Sequence, residues 1–320
     1  MMKPARDIQK MKPDVPISLS RVGVTGIKKI IPIKHDRGED LFYSEMDLYA
    51  DLRPEQKGLH MSRFSTIVNE IIDGIIRSAS MDIESFAKAI AERINREQQA
   101  LKSEVVIRAK YPRERRTPVS DQISQEIYSL ISIAVSTKHR TRIIVGGEAQ
   151  GMTVCPCAQE MTREYSKKKL WEAGFTEEDI EKILTTIPLS SHNQRGEGTL
   201  LIGTDRKINV DDLIDIVEAS MSSQIYQLLK RPDEFFIVYK AHTNPMFVED
   251  VVREMLRTVL TKYPDLSGDS FILAKQRNFE TIHSHDVFAE RYGTVQEIRE
   301  ELVNEKHLTR HTTLRSWLED

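Results

Sequence analysis

Two apolar periods, of two residues and of about 3.6, follow each other along this chain in the same order twice. From Leu41 to Leu52, the residues Phe42, Ser44, Met46, Leu48, Ala50 and Leu52 take one face. Tyr43, Glu45, Asp47, Tyr49 and Asp51 take the other, which is the period of a half-buried strand. The stretch Ile17–Ile33 before it is β-rich in composition. Phe64, Ile67, Val68, Ile71, Ile72 and Ile75 then recur at helical spacing, and Ile83, Phe86, Ala87, Ile90 and Ile94 do so again. The short break at Ser78–Ser80 suits an antiparallel helix pair. Strand patterns return at Val105–Tyr111 and Ile127–Val135, so the first half reads β-β-α-α-β-β.

The second half repeats that order. Arg142–Cys155 is strand-like, with bends implied at Gly146, Gly147 and Gly151, and Thr199–Thr204 is a short strand. Asn209 caps a long predicted helix through Val210, Leu213, Ile214, Val217, Met221, Ile225 and Leu228. Asn244-Pro245 opens another, with Val248, Val251, Val252, Met255 and Val259 inward. Ser270–Ala274 resumes strand character and runs toward His283. The boundary falls near Lys138–Thr141. The chain divides into an N-terminal arm (1–15), expected to be loose, modules at 16–138 and 139–291, and a charged helical tail (292–320) without assigned chemistry. Each helix pair must cover one face of an antiparallel sheet, giving an α+β architecture. Open sheet edges need pairing, so oligomerisation is expected. A segment at about 160–186 breaks the repeat. It reads as two charged helices joined at Ala173-Gly174, the second capped by Thr176 with Asp179 three residues on.

Composition narrows the class. Apolar residues make up 39% and charged residues 30%, ordinary for a soluble globular chain. A net charge of −3 gives no reason to expect nucleic acid or an anionic membrane. No apolar run approaches the ~18 residues of a membrane span, and the first residues lack the apolar segment of a secretory signal. Two cysteines without a framework fit a reducing, cytoplasmic setting.

Those two cysteines, Cys155 and Cys157, flank one proline in MTVCPCAQEM. The spacing suits a mutual disulfide poorly. It leaves a metal thiolate, a reactive thiol, or small buried side chains. Three more polar clusters follow: SHNQR with His192, RPDE with Glu234, and NFETIHSHD with Glu280, His283 and His285. Thiolate and imidazole together suit Zn²⁺ or Fe²⁺ better than Mg²⁺. Either cysteine, His192, and His283 or His285 could supply ligands, and two histidines two apart would share a face on a strand. Glu234 reads as the end of a helix. Glu280 could accept two hydrogen bonds from a guanine or pterin edge. Arg195 could hold a phosphate or make a surface ion pair.

The segments RVGVTGIKK, GLHMSRF, TVCPCAQEM, SHNQRG, LLKRPDE, NPMFVEDVVRE and NFETIHSHD, in this order, resemble the type IB GTP cyclohydrolases, closest to their archaeal, iron-dependent branch of methanopterin biosynthesis. The resemblance runs from about Pro16 to Ala289. It implies the tunnelling fold, with active sites between subunits of a dimer or tetramer, and GTP as substrate. It implies Cys155, His192 and His283 as metal ligands, with Glu234 completing the shell. One Fe²⁺ per subunit is expected, with Zn²⁺ or Mn²⁺ as substitutes. It makes Glu280 the anchor of the purine ring. Cys157 and His285 would be neighbouring or proton-transfer groups, and His60 and Arg63 would help bind phosphates beside Arg195. Glu197, in HNQRGEG, would repel a triphosphate if it pointed inward. The implied product is 7,8-dihydroneopterin 2′,3′-cyclic phosphate, with diphosphate released. Alternatives are the bacterial-type reaction that keeps the triphosphate, another purine- or pterin-handling tunnelling-fold enzyme, and a non-catalytic assembly protein with a structural metal.

Overall fold

The computed structural model describes residues 7–35, 38–78, 81–304 and 309–320. Its strands are β1 (Leu19–His35), β2 (Gly38–Leu52), β3 (Lys102–Arg116), β4 (Ile123–Thr137), β5 (Thr141–Val154), β6 (Asn193–Gly203), β7 (Ser223–Gln224), β8 (Phe271–Asn278) and β9 (Val287–Thr294). The helices are α1 (Met61–Ser78), α2 (Ile83–Gln98), α3 (Pro156–Glu172), α4 (Glu177–Thr186), α5 (Val210–Ala219), α6 (Arg231–Thr243), α7 (Val248–Lys262), α8 (Val295–Asn304) and α9 (Leu314–Glu319).

One antiparallel sheet runs β1-β2-β3-β4-β5-β6-β8-β9. The two halves share it because β4 turns into β5 and pairs with it from Ser136–Thr141 to Ser129–Glu148. Beyond that point the two strands part, and Gly151 and Met152 pair instead with Gln224 and Ser223 of β7. Within this chain β1 and β9 are the sheet edges.

The alternating face of β2, from Phe42 to Leu52, is buried against Phe64, Ile67 and Val68 of α1 and Phe86, Ile90 and Ile94 of α2. The same core continues beneath α5 and α7 through Leu213, Val217, Val251, Met255 and Val259. α2 starts where it does because the Asp82 side chain accepts from the Ser85 N–H at 2.8 Å. The side chain of Ile75 and the break at 79–80 lie outside the described residues. A second, smaller cluster holds Phe271, Leu273, Leu201, Trp317 and Leu318. Gly203 makes room for it, since a Cβ there would stand 2.6 Å from the Trp317 ring. β8 is therefore buried on both faces.

Several sequence expectations change. Residues 1–6 of the arm lie outside the described residues, but the rest is tied down: Lys57 N–H donates to Met11 O at 2.8 Å and Gly58 N–H to Gln9 O at 3.1 Å. The helix expected from Val210 to Leu228 ends at Ala219. The Ser220 hydroxyl bonds back to Ile216 O, and the Ser222 hydroxyl takes the Val154 N–H, so the chain turns into β7. Glu234 opens a helix rather than closing one. Pro232 sits in the first turn of α6, and the Asp233 carboxylate accepts from the Lys230 N–H at 2.9 Å. β9 runs through 291 to Thr294. The insert is α3 and α4, joined at Gly174, whose φ of +89° suits glycine.

Candidate active site and family

The ends of β5 and β6 bring Cys155 and His192 together. The ladder extends one step past the strands, where Cys155 N–H donates to His192 O at 3.2 Å. The Ser191 hydroxyl donates to Cys155 O at 2.7 Å. Pro156 then starts α3, which makes Cys155 its N-cap, and the sulfur accepts from the Ala158 N–H at 3.5 Å. The positive end of the α3 dipole therefore faces the Cys155 sulfur. Cys157, two residues on, turns to a different side of the helix and is exposed.

The segment after β8 continues alongside β6 without being a strand. Phe279 N–H donates to Arg195 O at 2.9 Å, and the Thr281 hydroxyl donates to Asn193 O at 3.1 Å. His283 and His285 thus sit in a loop, not on the strand expected from their spacing. The loop carries Glu280 to within 3.6 Å of His192 Nδ1, with the Glu280 side chain only 6% exposed. The His283 ring lies edge-on to His192 at 6.2 Å between centroids and stacks on His285 at 5.2 Å. Cys155, His192, Glu280, His283 and His285 line one cavity of about 240 Å³, closed on another side by Met246–Glu249 at the start of α7.

Two of the lining residues that sequence reasoning missed carry buried amides. Gln194 is buried between His192 and Thr153: its Oε1 lies 3.1 Å from His192 Nδ1, and its Nε2 donates to Thr153 Oγ1 at 3.0 Å. With Oε1 as acceptor, the His192 proton sits on Nδ1 and Nε2 keeps its lone pair. The other is Asn278, the last residue of β8. The available signal was the alternation in HNQRGEG, which puts Gln194 on the helix-covered face and Arg195 on the opposite one.

That alternation turns Arg195, expected to bind phosphate or make a surface ion pair, away from the Cys155 cavity within one chain. Its side chain lines a different cavity, of about 450 Å³, with Lys110, Tyr128, Glu148 and Tyr226. Glu197 shares that side, takes the Gln150 amide at 3.2 Å, and does not line the Cys155 cavity. Glu234, expected to complete the shell around His192, is exposed on α6 and does not line the Cys155 cavity within one chain. Its neighbour Asp233 is fully buried and clamps the β3–β4 turn to α6, accepting from Val119 N–H, Ser120 N–H and the Ser120 hydroxyl. Burial would raise the Asp233 carboxyl, but these bonds and that from Lys230 N–H outweigh it and hold it well below the usual carboxylate range. His60 and Arg63 lie in the first module, in a third cavity with Lys10 and Arg53. His60 Nε2 is 3.5 Å from Asp7, and Arg63 donates to Glu97 O at 3.0 Å.

Among the described residues, no three His, Cys, Asp or Glu side chains already stand together as a metal-ligand cluster in the single chain. The donor set of the Cys155 cavity nonetheless fits a divalent transition metal by its chemistry: a thiol at a helix N-terminus, three imidazoles and a carboxylate around one space.

The sequence model of the family described as type I GTP cyclohydrolase folE2 matches residues 5–289. The chain is 42% identical over 304 residues to GTP cyclohydrolase MptA of Methanosphaera stadtmanae, covering 92% of this chain and 97% of that one. It is 39% identical over 306 residues to GTP cyclohydrolase MptA of Methanocaldococcus jannaschii, covering 93% and 98%. Among solved structures, uricase from Arthrobacter globiformis aligns over 86% of this chain and 93% of that chain, with a TM-score of 0.49 and 10% identity. The β-β-α-α-β-β order of the first half recurs in the second, interrupted by α3 and α4 and by β7, and both halves share one antiparallel sheet, an α+β architecture of the tunnelling-fold class. The chain belongs to the type I GTP cyclohydrolase family.

Proposed function

We propose that this protein is a GTP cyclohydrolase of the MptA type, and that the Cys155 cavity is where the guanine ring is opened. The observation that carries this is the convergence of Cys155, His192, Glu280, His283 and His285 on one cavity, from three separated stretches of sequence. In the reaction, water adds to C8 of the guanine and the C8–N9 bond breaks. A second water releases C8 as formate. The ribose then rearranges and closes onto the freed amine to give a dihydropterin.

Cys155, His192 and His283 would hold Fe²⁺, with Zn²⁺ or Mn²⁺ as substitutes, one per subunit. A bound ion of this kind supplies Lewis acidity that brings water close to deprotonation near neutral pH. Glu280 accepts the N1–H and 2-amino hydrogens of the base and fixes C8 relative to His192. Gln194 holds the His192 proton on Nδ1. His285, stacked on His283, takes a proton from the attacking water and returns it to the leaving ring nitrogen.

Glu234, His60, Arg63 and Arg195 lie away from this cavity in one chain. A homo-oligomer that pairs the β1 and β9 edges would bring residues of one subunit toward the cavity of another, and we propose a dimer or tetramer on that ground. Two free cysteines support a cytoplasmic setting, and among the described residues no helix is long and apolar enough to cross a membrane. The proposed product is 7,8-dihydroneopterin 2′,3′-cyclic phosphate, with diphosphate released, as the first step of methanopterin-type pterin synthesis. The test is anaerobic incubation with GTP and Fe²⁺ followed by mass analysis of the pterin and assay of diphosphate. A cyclic phosphate with one diphosphate per pterin supports the reading. A pterin that retains three phosphates would replace the product, and no pterin would overturn the activity.

A further inference from the structure

Behind the Cys155 cavity lies a pair of buried amides. Asn278 is 2% exposed and Gln276 fully buried, and Gln276 Nε2 donates to Asn278 Oδ1 at 2.9 Å. The other atom facing that NH₂ group is the Met221 sulfur at 3.8 Å, which can only accept. The contact orients the Gln276 amide, and Gln276 in turn orients Asn278. With Oδ1 taken, the Asn278 NH₂ is the polar end left over, and Asn278 lines the cavity two residues before Glu280.

The backbone opposite is glycine where this pair needs room. Gly196 pairs with Asn278 across β6 and β8. A Cβ at Gly196 would stand 2.2 Å from Gln276 Nε2 and 2.7 Å from Asn278 Oδ1. A Cβ at Gly198 would meet Gln276 Oε1 at 2.8 Å. Any side chain at 196 would therefore have to displace the amide pair.

Resting on the GTP reading above, we infer that Asn278 is a specificity residue, whose Nδ2–H donates to the 6-oxo group of the purine. Glu280 accepts from N1–H and the 2-amino group, so donor and acceptor together match the edge of guanine and no other common base. Gln276 and Gly196 are positioning residues for that donor. A 6-amino purine would set its NH₂ against the Asn278 NH₂, and its unprotonated N1 against the Glu280 carboxylate. Adenine nucleotides are thereby rejected twice, because each mismatch leaves buried polar groups unpaired.

The test is equilibrium binding of GTP and of 6-thioguanosine triphosphate, which replaces only the 6-oxygen with a poorer acceptor. Wild-type protein should prefer GTP by about tenfold, the worth of roughly one hydrogen bond. Asn278→Leu should weaken GTP binding by about tenfold and bring the preference to near one, since the donor is gone. Asn278→Ser and Gly196→Ala serve the same comparison if the leucine variant does not fold, and both should reduce the preference. Glu280→Gln should weaken both ligands together and keep the preference. An unchanged preference in folded Asn278 and Gly196 variants would overturn the inference while leaving GTP as substrate. A wild-type protein that binds GTP without preferring oxygen over sulfur would overturn it equally. Failure of wild-type protein to bind GTP at all would instead strike the proposed function itself.

Discussion

Gln194 sits where a small chemical change has a large reach. Its amide fixes which nitrogen of His192 carries the proton, and it is itself fixed by Thr153. Partners of this kind typically contribute 10–100-fold to metal affinity. Gln194→Leu should therefore weaken Fe²⁺ binding by about that factor, as read by equilibrium dialysis. The ¹⁵N shifts of His192 should change from a single Nδ1–H tautomer to a mixture. Unchanged affinity and an unchanged tautomer would remove Gln194 from the site. Cys155 and Cys157 make a complementary case. They are alike in sequence, yet the turn of α3 separates them, so their variants should behave differently.

Elements from the two halves are locked together by buried charge. Arg115 on β3 pairs with Glu218 on α5 at 2.7 Å, the Tyr128 hydroxyl donates to Glu218 at 2.7 Å, and Arg113 holds Asp215 with two bonds. Burial raises the Glu218 carboxyl, and Arg115 and the Tyr128 bond offset that rise only in part. Arg115→Met removes the cation paired with that buried carboxylate, leaving it only the Tyr128 bond and the more distant Arg113, and should cost about 3–5 kcal/mol in denaturant unfolding. A carboxyl raised in the fold loses stability as pH rises above its ordinary range, so this loss should be larger at pH 8 than at pH 5. Asp233 works with the opposite sign. Its carboxyl is lowered in the fold, so its stabilisation is complete above the ordinary carboxylate range and is lost as pH falls below it. Asp233→Asn should be less stable than wild type at pH 7, with the gap closing toward pH 3. A gap that widened on acidification would contradict the clamp.

At the same scale, the Phe42–Leu52 alternation and the Ile83–Ile94 stripe are legible in the sequence because each element buries one face against the other. The end of α5 is not. Met221 keeps the helical apolar period but reaches the core from a turn, in space left by Gly151 and Gly198, while serines take over the backbone bonds. The start of α6 reads as a helix end because its first turn, Arg231–Glu234, is polar and follows an apolar period. Its Pro232 and Asp233 were start signals all the same. The loop with His283 and His285 has no apolar period to read, and only tertiary bonds to Asn193 and Arg195 show where it goes.

Among the described residues the whole molecule is one sheet ending in β1 and β9, and five expected site residues, Cys157, Arg195, Glu234, His60 and Arg63, stand outside the Cys155 cavity. Light scattering should give a dimer or tetramer, and a monomer that turns over GTP would remove the interfacial part of the account. The idea that one cavity does the chemistry is tested most directly by following the labelled carbon of [8-¹³C]GTP under anaerobic conditions with Fe²⁺. Wild-type and Cys157→Ala proteins should release the label as one formate per pterin, whereas folded Cys155→Ala and His283→Ala should release none. Label kept in the product by the wild type, or formate released at wild-type rate by Cys155→Ala, would contradict it.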